Sequence, residues 1–247
     1  MKYGIIADVH SNYNALRQVL KMLLEKEKVD SILCLGDIIG YGAKPNECIE
    51  AIRNTDRTVA LAGNHEWALL GNAGMENYNS VARKSIEWTG RVISGANRHW
   101  LENMGKEYRK NGFFAVHASP RDPINEYVFD ESIFYENADY MKEEVCFVGH
   151  THVAEHYHFN SRQEVVRKKL YDGDRVVIEQ GKAHLINCGS VGQPRGGVDN
   201  KAGGCIYDEE KREVKFFKVE YDVSKTQKEI LDAGLPPFLA FRLERGI

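Results

Sequence analysis

Asp8-Val9-His10, Gly36-Asp37, Gly63-Asn64-His65-Glu66, His117 and Gly149-His150-Thr151-His152 place carboxylate, imidazole and amide donors at or just past the ends of apolar runs. Donors of these types favour hard or borderline divalent ions such as Mn, Fe or Zn over thiophilic ones. Asp37 matters most, because a carboxylate has two oxygens and can bridge two cations. Ions paired at about 3.5–4 Å polarise a phosphoryl group, generate hydroxide near neutral pH and stabilise a leaving oxygen. Asp8, His10 and one of the later histidines can complete one ion's shell. Asn64, His117 and the other later histidine can complete the second. The ordered set therefore predicts a two-metal hydrolytic site, although an Asp-x-His triplet alone is common. Alternation in residues 149–152 puts His150 and His152 on one side of an extended segment, and Gly149 allows a tight turn. His156 and His158 also alternate, but in what reads as an exposed strand, so they are expected to be surface histidines. His99 and His184 have no partner pattern and read as structural.

Ligands so far apart in sequence converge only if strand ends bring them together. Residues 2–7 read as a buried strand. Residues 12–28 carry a helical stripe of Ala15, Leu16, Val19, Leu20, Leu23 and Leu24, with Ser11 or Asn12 as cap. A strand over 31–35, a helix over 45–53 with Pro45 in its first turn, and a strand over 57–61 follow. Strand and helix alternate here, which predicts a parallel sheet. In such sheets ligands bind beyond the carboxyl ends of the strands, where Asp8, Asp37 and Asn64 fall. Residues 67–104 read as mainly helical, with helices over 78–93 and 95–104. Short strands are expected over 113–116, 145–148, 155–159, 175–179, 183–186, 204–207 and 214–219. Asp172-Gly173-Asp174 reads as a hairpin connection, and a last helix over 224–233 is ended by Gly234 and Pro236. No repeat or composed linker divides the chain. Residues 1–247 are therefore expected to form one α/β domain with a helical insertion at about 67–104, its two halves two sheets packed together with helices outside.

The 247 residues are 43% hydrophobic and 28% charged, with a formal net charge of −3. That is an ordinary globular composition, with no overall basicity pointing to nucleic acid. Five cysteines (Cys34, Cys48, Cys146, Cys188 and Cys205) are widely spaced without a CxxC pair, so no disulfide framework is expected. Cys34 and Cys146 fall inside apolar runs and read as buried thiols. With a strand starting at Lys2 there is no room for a signal peptide, and a reducing cytoplasm is the expected compartment. No apolar run approaches the roughly 20 residues that span a bilayer.

The ordered blocks D-x-H, G-D, G-N-H-[ED], H and G-H-x-H, from Asp8 to His152, resemble those of the calcineurin-like metallophosphoesterase superfamily. The resemblance implies a four-layer αββα sandwich of two mixed β-sheets flanked by helices, with a di-metal centre at the sheet edge. It implies one ion held by Asp8, His10, Asp37 and His152, and a second held by Asp37, Asn64, His117 and His150. Mn or Fe is expected, with Zn, Ni, Co and Mg admitted. His65, beside the Asn ligand, resembles the family's non-ligand catalytic histidine. Its imidazole can meet a leaving-group oxygen as general acid or donate a hydrogen bond to phosphoryl oxygens, while hydroxide formed between the ions attacks phosphorus. Glu66 can orient His65 or cap the following helix.

Gly36-Asp37-Ile38-Ile39-Gly40-Tyr41-Gly42 departs from the G-D-x-x-D-R-G pattern of serine/threonine protein phosphatases and symmetrical dinucleoside tetraphosphatases. Gly40-Tyr41 replaces the Asp that positions the catalytic histidine and the Arg that grips phosphate. The pattern is similar to the smaller bacterial and archaeal phosphoesterases, as are residues 117–123 and 187–195. Arg121 and Arg195 each follow a Pro in a constrained turn, from which a guanidinium can grip phosphate or pair with a neighbouring acid such as Asp122. Tyr13, Tyr41 and Tyr127 can stack a base or aryl leaving group, or be ordinary half-buried tyrosines. The expected substrate is a small phosphodiester or a nucleotide phosphoanhydride. A dinucleoside polyphosphate hydrolase is the narrower alternative. A non-catalytic scaffold, like the superfamily's retromer subunit, is disfavoured by the presence of His65 and every ligand type. The number of chains in the assembly is left open.

Overall fold

Short apolar runs such as Tyr3-Gly4-Ile5-Ile6 and Ile32-Leu33-Cys34 make strands that are covered on both faces. The computed structural model describes residues 1–110, 112–197 and 199–246. The first half runs β1 (Lys2–Ile6), α1 (Tyr13–Lys21), β2 (Ser31–Cys34), α2 (Pro45–Arg53), β3 (Thr58–Ala60), α3 (Asn64–Leu69), α4 (Ser80–Val92) and α5 (Gly95–Glu102). Then come β4 (Glu107–Lys110), β5 (Phe113–Val116), α6 (Glu131–Ala138), β6 (Val145–Val148), β7 (Ala154–Phe159), β8 (Val165–Lys169) and β9 (Arg175–Val177). The chain closes with β10 (His184–Cys188), β11 (Ala202–Asp208), β12 (Glu213–Val219), α7 (Val223–Asp232) and α8 (Pro237–Arg245). A π-helical turn, Met22–Lys26, extends α1, and Asn12 caps that helix by accepting from the Ala15 amide at 3.1 Å.

Two six-stranded mixed sheets form, in the orders β3-β2-β1-β11-β12-β9 and β4-β5-β6-β10-β7-β8. In the first, β1, β2 and β3 are parallel and the other pairs antiparallel. In the second, β5, β6 and β10 are parallel, with antiparallel strands outside them. Tyr3, Ile5, Leu33, Phe113, Phe147 and Phe216 fill the space between the sheets. Burying each such side chain contributes about 2 kcal/mol. Leu16, Val19, Ile49 and Ile52 of α1 and α2 cover the outer face of the first sheet, and Phe134 of α6 covers the second. The layers are therefore helix, sheet, sheet, helix, as expected. This packing aligns the carboxyl ends of β1, β2, β3, β5 and β6 along one edge of the sandwich.

Three local expectations are corrected. Asp172-Gly173-Asp174 does not close a hairpin: β8 before it pairs with β7, and β9 after it pairs with β12 in the other sheet. The helix expected over 224–233 forms as α7 but is not the last, because Pro236 and Pro237 begin α8. The sheets do not divide the chain into halves either, since β9, β11 and β12 return to complete the first sheet. Edge strands β4 and β8 and helix α6 were not anticipated. Both edge strands are largely polar and part-exposed, without the apolar run that marks a central strand.

Candidate metal centre

Asp8 follows β1, Asp37 follows β2, Asn64 opens α3 after β3, His117 follows β5, and His150 and His152 follow β6. All are buried. Asp8, His10 and His152 form one cluster, with Asp8 Oδ1 3.5 Å from His152 Nε2 and 4.0 Å from His10 Nε2. Asp37, His117 and His150 form another. Asp37 Oδ2 lies 3.6 Å from His10 Nε2 and 3.5 Å from His117 Nε2, so one oxygen faces both clusters. Its Oδ1 accepts the His65 backbone amide at 2.9 Å.

The ring tautomers show what these clusters suit. Nδ1 of His10, His117 and His152 lies 3.0, 2.9 and 2.8 Å from the carbonyls of Ile39, Leu35 and Gln193. Nε2 of His150 lies 3.1 Å from the Asn125 carbonyl. A carbonyl only accepts, so these nitrogens carry the protons and the opposite nitrogens present lone pairs. The lone-pair nitrogens of His10 and His152 face each other at 3.1 Å, as do those of His117 and His150. Asn64 Oδ1 meets His117 Nε2 at 3.1 Å. Acceptors aimed at one another repel, and a cation that takes both lone pairs removes the repulsion. The donor set therefore fits divalent ions.

Burial decides the charge states. It pushes the Asp8 carboxyl well above the usual carboxylate range, aided by Asp37, and raises Asp37 to about 8. It holds His10, His150 and His152 well below the usual imidazole range, with His65 near 3 and His117 near 4. Neutral imidazoles are ready as ligands, and a bound cation reverses the carboxylate shift. The backbone is also committed: Asp8, His10, Asp37, His150 and His152 all have positive φ, between 47° and 66°. Such residues cost of order 1 kcal/mol each and persist only where surroundings hold them. Here Asp8 N bonds Gly36 O at 3.1 Å and His10 N bonds Asp37 O at 2.9 Å.

His65 stands against this centre, its Nε2 3.9 Å from Asp37 Oδ2. Its Nδ1 is buried without a hydrogen-bond partner among the described residues. Gly40, with φ +87°, lies against that nitrogen, and a Cβ there would overlap the ring. Packing orients the imidazole instead, between Tyr41 at 4.6 Å and His10 at 4.8 Å between centroids. Glu66 makes no bond to His65. Its carboxylate accepts the backbone amides of Asp37, Ile39 and Gly63 at 2.9, 3.0 and 2.8 Å, capping α3 and clamping the loop after β2.

A cleft of about 160 Å³ opens over the centre, lined by Tyr41, Asn64, His65, Tyr78, Tyr127 and His150 among others. Tyr127 stacks on His150 at 3.7 Å, whereas Tyr13 lies on α1 beneath Arg17. Arg195 comes close enough for its charge to act on Asp8, Asp37, His10, His65 and His152. Arg121 is not brought to the cleft. Its guanidinium is held by Glu126 and Glu136, and the acid beside it in sequence, Asp122, is not its partner. The surface reading of His156 and His158 is also corrected: β7 is an inner strand, so His156 is buried and His158 half-buried, stacked at 4.5 Å. His184 is buried beside them, while the His99 side chain is 79% exposed and pairs with Glu102. Sequence reasoning missed Tyr78, Asn125, Gln193 and Arg242. The carbonyls of Asn125 and Gln193 carry no side-chain signal at all.

The calcineurin-like phosphoesterase family model matches residues 1–154. An uncharacterized protein of Methanocaldococcus jannaschii is 36% identical over 248 residues, covering 98% of this chain and 97% of that protein. A symmetrical bis(5'-nucleosyl)-tetraphosphatase of Nitrosococcus oceani is 27% identical over 121 residues, 46% of this chain and 42% of that protein. The crystal structure of a metallophosphoesterase from Sphaerobacter thermophilus superposes with a TM-score of 0.87 at 35% identity, covering 100% of this chain and 99% of that one. Sequence, sandwich and buried His/Asp clusters agree: the chain belongs to the calcineurin-like phosphoesterase family and is a hydrolase acting on phosphoester bonds.

Proposed function

We propose that the protein is a two-metal hydrolase of small phosphodiesters or nucleotide phosphoanhydrides. One ion is assigned to Asp8, His10, Asp37 and His152, and the other to Asp37, Asn64, His117 and His150. The observation that carries this reading is Asp37 Oδ2, which faces lone-pair nitrogens of both clusters at 3.5 and 3.6 Å. Donors of O and N type without thiolate suit Mn, Fe or Zn. Bound ions supply Lewis acidity and lower the pKa of water. His65, kept neutral by burial and lining the cleft, donates a hydrogen bond to a phosphoryl or leaving-group oxygen. Arg195 grips a phosphate oxygen, and Tyr41, Tyr78 and Tyr127 wall the leaving group.

The small cleft and the replacement of Asp-Arg by Gly40-Tyr41 argue against phosphopeptide. The partial similarity to the Nitrosococcus oceani tetraphosphatase supports the narrower reading of a dinucleoside polyphosphate hydrolase. Metal analysis and a hydrolysis panel of aryl phosphodiester, cyclic nucleotide, dinucleoside tetraphosphate, phosphomonoester and phosphopeptide test both. Two ions per chain and turnover of a diester or anhydride are expected; best activity on phosphopeptide overturns the substrate assignment. His65→Ala is expected to lower kcat about 100-fold or more with metal content near that of the parent. Loss of metal in that variant would make His65 a ligand instead.

A further inference from the structure

We propose that Asn187 and Ser190 are positioning residues of the metal centre: from one short segment they hold the turn that carries His150 and His152 and the carbonyl that fixes the His152 ring. The proposal rests on the two-metal reading above and adds to it the groups that set the geometry of the ligands. The segment starts in the last turn of the chain along β10 and lies against residues 7–9. Val191 N donates to Ala7 O at 3.0 Å and Gly192 N to Asp8 O at 2.9 Å. A Cβ at Gly192 would overlap the Val9 carbonyl, so the two stretches touch backbone to backbone.

Ser190 is buried, and its hydroxyl has two partners. Oγ donates to Asp8 O at 2.9 Å and accepts the Gln193 amide at 2.9 Å. The Gln193 carbonyl in turn lies 2.8 Å from His152 Nδ1. Asp8 and His152 belong to the same cluster, so this hydroxyl ties the backbone of one ligand to the ring of the other. Without it the Gln193 amide loses its acceptor and the loop can turn. The His152 proton is then no longer held on Nδ1, away from the ion.

Asn187, also buried, acts on the turn itself. Its Oδ1 accepts the Gly189 amide at 2.9 Å, which leaves Nδ2 to donate to Gly149 O and, at 2.9 Å, to Thr151 Oγ1. Those bonds pin residues 149 and 151 of a turn in which His150 and His152 hold φ of 66° and 65°. Left-handed backbone at a non-glycine residue persists only where its surroundings hold it. His150 belongs to the second cluster and His152 to the first, so Asn187 bears on both ions and Ser190 on one. Neither residue lines the cleft over the centre, so neither is placed to touch substrate there.

The test is a calorimetric titration of the metal-stripped full chain with Mn(II). Each site is read alone, the first in an Asn64→Ala background and the second in a His10→Ala background. Ser190→Ala is expected to weaken the first site about tenfold or more and to leave the second within about twofold; Asn187→Ala is expected to weaken both about tenfold. Ser190→Thr keeps the hydroxyl and is expected to bind the first ion as the parent does, and Ser190 borders a cavity of about 280 Å³ that has room for a methyl group. A serine with a merely structural role would lower the melting temperature without separating the two sites. Melting curves show that each variant is folded, and Ser190→Cys, close in size and a weak donor, replaces the alanine variant if that one is not. Affinity unchanged in Ser190→Ala, or lost equally at both sites, overturns the proposal, as does an Asn187→Ala protein that binds both ions like the parent. If the parent binds two ions but hydrolyses no phosphoester, the functional reading alone fails, and the titration still decides the positioning roles. A parent that takes up no ion overturns both.

Discussion

Tyr78 settles which end of the Asn64 side chain faces the centre. Its hydroxyl donates to the Asn64 carbonyl at 2.7 Å and accepts from Asn64 Nδ2 at 3.2 Å, which turns Oδ1 toward His117. An amide without that partner is free to present its NH₂ to the cations, a repulsive arrangement. Tyr78→Phe is therefore expected to weaken metal binding about tenfold or more, because groups that orient ligands typically matter on that scale. The fold should lose only about 1 kcal/mol, the value of an ordinary hydrogen bond. Metal titration beside a melting curve checks this. Binding as tight as in the parent would show that Asn64 is oriented by something else. No pattern in the sequence marks Tyr78, since it lies 14 residues from Asn64 and the bond exists only once α3 and α4 pack.

Helix α3 and the loop after β2 act as one unit because Glu66, in the first turn of that helix, accepts amides from both. The clamp fixes Asp37 relative to His65 and so couples the proposed bridging carboxylate to the group beside it. Glu66→Ala leaves three buried N–H groups without an acceptor, and each such orphan costs about 1–3 kcal/mol. A loss of roughly 3 kcal/mol or more in urea unfolding is expected. A change below about 1 kcal/mol would mean that water replaces the carboxylate. Of the two roles open for Glu66 in the sequence, the cap is the one observed, because Gly63 to Glu66 has capping-box spacing and the ring of His65 turns elsewhere. Helix α8 shows the opposite lesson. Gly234 and Pro236 read as a stop, yet Pro236-Pro237 is also a good helix start, and with α8 came Arg242.

At the scale of the molecule, pH stability is expected to depend on histidines away from the centre. His156, His158 and His184 stack on one face of the second sheet, with His156 Nε2 2.9 Å from His184 Nδ1. Burial, then the neighbouring histidines, lowers His156 to about 3 and His184 to about 4. The unfolded chain takes up protons at these groups below about pH 6.5, while the fold refuses them until about pH 4. Their contribution is thus fully present above pH 6.5 and lost as pH falls from there toward the folded values. A slope of about 2 kcal/mol per pH unit is expected between pH 6 and 4.5, since each group protonated only in the unfolded chain contributes about 1.4. Replacing His156 with Gln should make that slope shallower; an unchanged slope would assign acid sensitivity to other groups, the buried histidines of the metal centre among them. In the sequence His156 and His158 read as surface residues, because alternation identifies a shared face but not whether another layer covers it.

The donor types, their order and their placement after apolar runs are local properties, and residues 8–152 display them without reference to fold. The same holds for β1, α2, β5 and β6, whose apolar runs and Pro45 mark them directly. What pairs with what is a different matter. That β11 inserts beside β1, that Arg121 turns to Glu126 and Glu136, and that Arg195 meets Arg242 all depend on residues far apart in the chain. Those partners are chosen by the packing of two sheets, which excludes water from some polar groups and forces them to find each other. The sequence by itself determined the chemistry that the edge of the sandwich can hold. Only the tertiary structure decided which ring nitrogens face inward and which ionisable groups lose contact with water, because both follow from burial.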